Sequence, residues 1–236
     1  MAVTDLKITY ICHSGFLVET KNCYYLFDYY KGRLPALDPK KPILVFASHS
    51  HPDHYNPEIF PKLASLGMEQ VTAVLSKDIS KKKYPSGVPV ITVIFYQQYE
   101  LPWETRLETL LSTDQGVAFL IRCPDGVIYH AGDLNDWVWA GESPGYNRQM
   151  TGSYKHEIDL LASRLQPSTS IDAAFIPLDP RQEKDYARGM LYFLKKIKVK
   201  AVYPMHYWER SEIIGQFLQE YPEFKDIIHD TEKYSQ

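Results

Sequence analysis

The chain has 236 residues, of which 44% are hydrophobic and 14% aromatic, a size and composition that bury a substantial core and suit one domain spanning 1–236. Its formal net charge is −3, with 26 basic against 29 acidic residues and no long run of one sign, so neither nucleic acid nor an anionic membrane surface is expected as a partner. Met1 to Tyr10 alternate polar and apolar side chains, no stretch approaches the roughly 18 apolar residues of a membrane span, and Cys12, Cys23 and Cys123 fit neither a disulfide framework nor a CxxC knuckle. A reducing cytoplasm is the expected compartment.

In chain order, runs rich in β-branched and aromatic residues predict strands at 6–11, 15–19, 24–27 and 43–47, and 3.6-residue periodicity with Pro57 in the first turn predicts a helix over 57–66. Strands follow at 71–75 and 90–95, with the solvated lysine turn 81–83 between them, and then at 117–121 and 127–130. Residues 133–153 carry Trp137, Trp139 and three glycines with little periodicity and read as a long loop, a kind of segment often tied to function. A helix at 154–165, a strand at 173–176, a helix at 183–196, a strand at 201–203 and a helix at 212–219 complete the pattern. Runs 43–47 and 173–176 are apolar throughout, which predicts sheets covered on both faces and an α/β layered architecture built from two packed halves, about 1–115 and 116–236.

Directly after the buried run 43–47 stands Ser48-His49-Ser50-His51-Pro52-Asp53-His54, three imidazoles and a carboxylate at the C-terminal end of a strand. Such ends are where open α/β sheets place ligands, and these donors suit zinc, iron or manganese. Asp133 and His206 each end a further apolar run.

The HSHPDH run matches the HxHxDH signature of the metallo-β-lactamase superfamily, and Gly132-Asp133 and Pro204-Met205-His206 match its later metal motifs in order. The chain therefore resembles that superfamily, in particular its lactonase-like branch. The resemblance implies a four-layer αββα sandwich with the site at one edge of the sheets. It also implies two divalent ions, zinc foremost and manganese or iron as alternatives. By the same correspondence His49 and His51 serve the first metal, Asp53, His54 and His206 the second, and Asp133 bridges them. Asp28 matches an acidic residue that hydrogen-bonds around the metal loop, and His13 matches a histidine or polar turn that approaches the site from its rim.

The further first-site histidine of the family has no counterpart, because no histidine lies between His54 and His130. Asp114 is the expected substitute, with Thr113, a water or His130 as alternatives. The activity so implied is hydrolysis by a metal-bound hydroxide, with Asp53, His54 and Asp133 as the catalytic set. The expected substrate is a small anionic ester, lactone or phosphodiester. Asp179 and Arg181 either face it or form a structural pair, and Trp137 and Trp139, with Tyr207 and Trp208, either cap the cleft or pack; Arg33 is a further anion-binding candidate. A metal-dependent binding protein without turnover and a di-iron redox protein are the competing readings, and the loop aromatics are compatible with a homo-oligomer.

Overall fold

The computed structural model describes residues 6–235; the alternation read at residues 1–5 lies outside them. Two six-stranded sheets face one another. The first runs in the order β1 (Lys7–Cys12), β2 (Gly15–Glu19), β3 (Tyr24–Phe27), β4 (Ile43–Ala47), β5 (Val71–Ser76), β6 (Val90–Val93). The second comprises β7 (Gln98–Leu101), β8 (Thr105–Leu111), β9 (Val117–Cys123), β10 (Gly126–His130), β11 (Ala173–Pro177) and β12 (Val202–Met205), in reverse spatial order. Each sheet joins an antiparallel portion to a parallel one, the latter being β3–β6 in the first and β10–β12 in the second.

Alternation along β4 explains why its sequence is apolar throughout. Leu44 and Phe46 join the core between the sheets, whereas Ile43, Val45 and Ala47 pack beneath α1 (Ile59–Ser65) with Ile59, Phe60 and Leu63. Between the sheets, Phe16 meets Phe175 at 4.4 Å and Phe46 meets Phe119 at 5.3 Å between ring centroids. On the outer face of the second sheet Tyr129 stacks on Phe193 of α3 (Arg188–Lys196) at 5.6 Å, and α2 (Pro144–Arg164) and α4 (Glu212–Glu220) bury their apolar sides in the same cluster. The layered αββα sandwich expected from the sequence is what forms.

Several boundaries differ from expectation. The α2 helix begins ten residues before the periodicity does, because Ser143 caps it through Tyr146 N–H at 3.1 Å and Pro144 occupies the first turn, where its missing N–H costs nothing. The irregular segment after Asp133 is correspondingly shorter. The α3 helix starts late: Glu183, at φ 52°, breaks the helical path after the 3₁₀ turn Pro180–Asp185. The hairpin β7–β8 was not expected from the sequence, since charged residues such as Glu100 and Arg106 interrupt its apolar pattern. His229 is half-buried against Tyr203 and bonded to Tyr234. Among the described residues no helix is long and apolar enough to cross a membrane.

Phe119 is fully buried between the sheets, so Phe119→Ala is expected to destabilise the protein by about 3–5 kcal/mol, read as a lower denaturant midpoint with an unchanged slope.

Candidate metal centre

Every polar group of the centre leaves the end of a strand or a tight turn at one edge of the sandwich. Asp28 follows β3, the segment 48–54 follows β4, Asp133 follows β10, Asp179 follows β11 and His206 follows β12, all at C-terminal ends of parallel strands. Two antiparallel turns close in beside them: His13 lies between β1 and β2, and Asp114 between β8 and β9. Gly116 permits the second approach. It has φ +73°, and a Cβ there would stand 2.0 Å from the Ser48 carbonyl oxygen, the same oxygen that accepts Val117 N–H at 3.0 Å.

Hydrogen bonds aim the imidazoles. The Asp28 carboxylate, with no solvent exposure, accepts from Ser48 N–H, from the Ser48 hydroxyl and from His54 Nδ1, each at 2.7 Å. Because the Ser48 hydroxyl donates to Asp28, its oxygen is the acceptor for His49 Nδ1–H at 2.9 Å. His206 Nδ1 donates to Asp179 at 3.0 Å. In all three rings Nδ1 carries a proton, so Nε2 is the nitrogen turned toward the centre and the one that would ligate a metal once deprotonated. His130 differs: Nε2 donates to the Ser14 carbonyl at 2.9 Å and Nδ1 accepts from Gly132 N–H at 3.1 Å, so neither nitrogen remains for a metal.

Two groups of ligand atoms result, each gathered within 4.8 Å: His49, His51, Asp114 and Asp133 in one, His13, Asp53, His54 and His206 in the other. Asp133 lies between them, its Oδ2 3.4 Å from His49 Nε2 and its Oδ1 3.1 Å from His54 Nε2 and 3.5 Å from His206 Nε2. Three atoms of this assembly, His13 Nε2, His54 Nε2 and Asp133 Oδ1, are buried without a well-aligned hydrogen-bond partner among the described residues. Leaving polar atoms so would cost several kcal/mol, and cations between the groups would satisfy all three. The residues fit a metal pair.

The electrostatics agree. Burial, joined by the positive charge of His54, lowers His49 to about 4. Burial alone would raise Asp133, but His54 and His206 outweigh it and hold the carboxylate well below its ordinary range. Burial would likewise depress His54, which the Asp133 and Asp28 carboxylates overcome, raising it. Burial and then the neighbouring Asp133 raise Asp114, and the nearby His51, His206 and His54 offset this only in part.

All seven expected ligands come together here, Asp114 included. Thr113, its rival, has its hydroxyl committed to the Asn135 carbonyl at 2.6 Å. His13 belongs fully to the second group although the sequence placed it only at the rim. A solitary histidine in a turn has no spacing to mark it, and its place depends on the turn lying against β12, where His206 N–H meets the His13 carbonyl at 3.3 Å. Asp179 proves to stand behind His206, fully buried, instead of facing a substrate. It is held at about 2, where burial would raise it and His206 and Arg181 outweigh that.

In front of the ligands lies a cleft of about 270 Å³, with His51, Asp53 and Asp133 on one side and Trp137, Trp139, Tyr146 and Trp208 on the other. Trp137 donates Nε1–H to the Asp133 carbonyl at 2.8 Å and stacks on Trp139. The Arg181 guanidinium lies over Trp208 at 4.6 Å and Trp139 at 5.8 Å while binding Asp179 through Nε and Nη2. Arg33 is exposed and does not line this cleft. A larger groove of about 980 Å³ opens at the opposite ends of β8–β10, but its charges pair among themselves, Arg122 with Glu108 and Lys200 with Asp172.

A family model described as a beta-lactamase superfamily domain matches residues 7–138. A UPF0173 metal-dependent hydrolase of Opitutus terrae is 30% identical over 146 residues, which is 54% of this chain and 63% of that protein, so the match spans less than two thirds of the relative's length. Among solved structures, Igni18, a metallo hydrolase of Ignicoccus hospitalis, aligns with a TM-score of 0.63 at 19% identity over 95% of this chain and 94% of its own. CmlA, a diiron β-hydroxylase of Streptomyces venezuelae, aligns with a TM-score of 0.59 at 12% identity over 96% of this chain and 53% of its own. At these identities both structures speak to the fold alone.

Asp28→Asn removes an acceptor that Ser48 and His54 share, so it is expected to weaken metal retention about 10–100-fold with an unchanged far-UV circular dichroism spectrum; equilibrium dialysis against buffered zinc measures it.

Proposed function

The chain belongs to the beta-lactamase superfamily domain family, and from that membership we propose that it is a metal-dependent hydrolase holding two divalent ions, zinc foremost, on His49, His51, Asp114, Asp133, Asp53, His54, His206 and His13. The observation that carries this reading is the pair of adjoining ligand groups with buried, unpartnered atoms facing the space between them. When bound, such ions polarise an electrophilic carbonyl or phosphoryl oxygen and bring water within reach of deprotonation near neutral pH.

The chain's own residues then divide the remaining work. Asp53, partly exposed at the cleft floor, is placed to accept a hydrogen bond from an attacking water. Burial would raise this carboxyl, but His13 and His54 outweigh burial and keep it ionised. Trp137, Trp139 and Trp208 restrict the cleft to a small substrate and exclude bulk water from its wall. Arg181 leaves Nη1 outside its pair with Asp179 and is the group available to an anionic substituent. The substrate class supported by this arrangement is a small anionic ester, lactone or phosphodiester, and the cleft offers no basic track for nucleic acid.

A second reading, redox chemistry on a di-iron pair, has one observation in its favour: the group around His49 contains two carboxylates, Asp114 and Asp133, where a nitrogen-rich hydrolytic site would have one. Colourless protein that consumes no oxygen with an electron donor would remove it.

Protein purified without a metal-binding tag is expected to contain about two equivalents of zinc, manganese or iron, measured by elemental analysis. Asp133→Ala is expected to lower that content and to reduce turnover on an ester, lactone and phosphodiester panel by more than the roughly 100-fold typical of residues that merely support a ligand. Near-zero metal after reconstitution would sink the hydrolase reading.

A further inference from the structure

We propose that the two ligand groups are unequal: the group of His13, Asp53, His54 and His206 retains its ion, the group of His49, His51, Asp114 and Asp133 exchanges its ion with the surroundings, and His13 is the residue responsible for the difference. This rests on the metal-dependent reading above and goes on to say how the metals are held.

The first observation is what each group does without an ion. In the outer group His49 Nε2 and His51 Nδ1 lie 2.9 Å apart and bond each other, so an arriving ion must break an existing hydrogen bond. In the inner group the buried His13 Nε2 and His54 Nε2 face only carboxylate oxygens, Asp53 Oδ2 at 3.3 Å and Asp133 Oδ1 at 3.1 Å, without a well-aligned hydrogen bond among the described residues. Losing the ion therefore leaves the inner group two buried nitrogens that are poorly aligned with their carboxylate neighbours, and returns a hydrogen bond to the outer one.

Burial and rigidity point the same way. The His51 and Asp114 side chains are 43% and 50% exposed, and they sit on separate loops, 3.8 Å apart at closest approach. The inner imidazoles are locked instead. Asp28 orients His54, and Asp179 orients His206 while itself gripped by Arg181. The His13 ring is wedged against His206 at 4.3 Å and Trp208 at 4.5 Å. Ligands already fixed in place lose less freedom on binding.

Donor chemistry separates the groups further. With Asp133 shared between them, the inner group offers three imidazoles and the outer two for the same number of carboxylates, so the inner suits a borderline ion such as zinc better and the outer, being harder, accepts manganese more readily. Relative to the pattern that the sequence resembles, one nitrogen is missing from the outer group and one has been gained by the inner. Asp114 and His13 mark the two ends of that transfer.

The test is chelator competition on the full chain loaded with zinc, followed by elemental analysis at each chelator strength, with manganese back-titration read by electron paramagnetic resonance. The wild type is expected to lose one equivalent well before the other, with affinities separated by about 100-fold or more, and the vacated site to take up manganese. Asp114→Ala should abolish only the exchangeable equivalent. His13→Asn and His13→Gly, both compatible with the φ of 57° at this position, should weaken only the retained one by about 10–100-fold; circular dichroism melting confirms that they fold. Two equivalents leaving together from the wild type, or loss of the retained ion in Asp114→Ala, would overturn the proposal. Protein that takes up no metal at any concentration would instead overturn the metal-dependent reading beneath it.

Discussion

The buried carboxylate of Asp28 is the constraint on which the centre depends. Removing an ionised carboxylate from water costs several kcal/mol, and here three donors at 2.7 Å, Ser48 N–H, Ser48 Oγ–H and His54 Nδ1–H, offset that cost. Those donors belong to the segment after β4, so the loop can satisfy the charge only in the conformation that turns His49 and His54 toward the cleft. Parallel pairing makes this possible: Asp28 N–H bonds the Phe46 carbonyl at 2.9 Å and continues the β3–β4 ladder to the loop itself. The residue adopts φ +40°, an unusual conformation for a side chain of its kind and one that persists because its neighbours over-determine it.

His206, after β12 of the second sheet, and His13, in the β1–β2 turn of the first, repeat the arrangement across the seam. Both have positive φ, 64° and 57°, and a backbone hydrogen bond joins them. The two sheets thus each bring a rigidly aimed imidazole to the seam, and Asp133, at the end of β10, reaches both groups. A sandwich whose parallel strands end on the same edge concentrates ligands in this way without a long loop to carry them. The aromatic packing between Phe16, Phe27, Phe46, Phe119 and Phe175 holds the sheets in the register that this seam requires.

What the sequence revealed follows from what is local. The run from His49 to His54 is legible because its donors are contiguous and follow a strand that is apolar on both faces. Asp133 and His206 are legible because each ends an apolar run. Asp114 could be inferred only from a gap in a family pattern, and its neighbourhood was set by Gly116, whose lack of a side chain lets the turn rest on Ser48. His13 and the supporting role of Asp179 were hidden because both depend on partners far away in the chain, the one beside His206 and the other behind it. The start of α2 was obscured for a different reason: Gly145 and Gly152 resemble loop residues, yet Gly152 stands in open space and Gly145 meets only the Ser143 hydroxyl at an ordinary 3.8 Å, so a helix tolerates both at a modest energetic cost.

Arg181 bears on substrate charge in a way that its sequence position alone did not suggest. Its guanidinium is neutralised by Asp179 and sandwiched by Trp139 and Trp208, so it braces the cleft wall and, through Asp179, the direction of His206. It is a weak source of net positive potential. With two divalent ions bound, however, the four carboxylates Asp28, Asp53, Asp114 and Asp133 would be brought to about zero net charge. Attraction for an anionic substrate would then originate chiefly at the metals, with Arg181 Nη1 supplying direction to a bond whose strength comes from elsewhere. If the outer ion leaves, the same carboxylates are left with an excess of about two negative charges. Loss of a single exchangeable ion would therefore turn the field that the substrate meets against an anion, in addition to removing a Lewis acid.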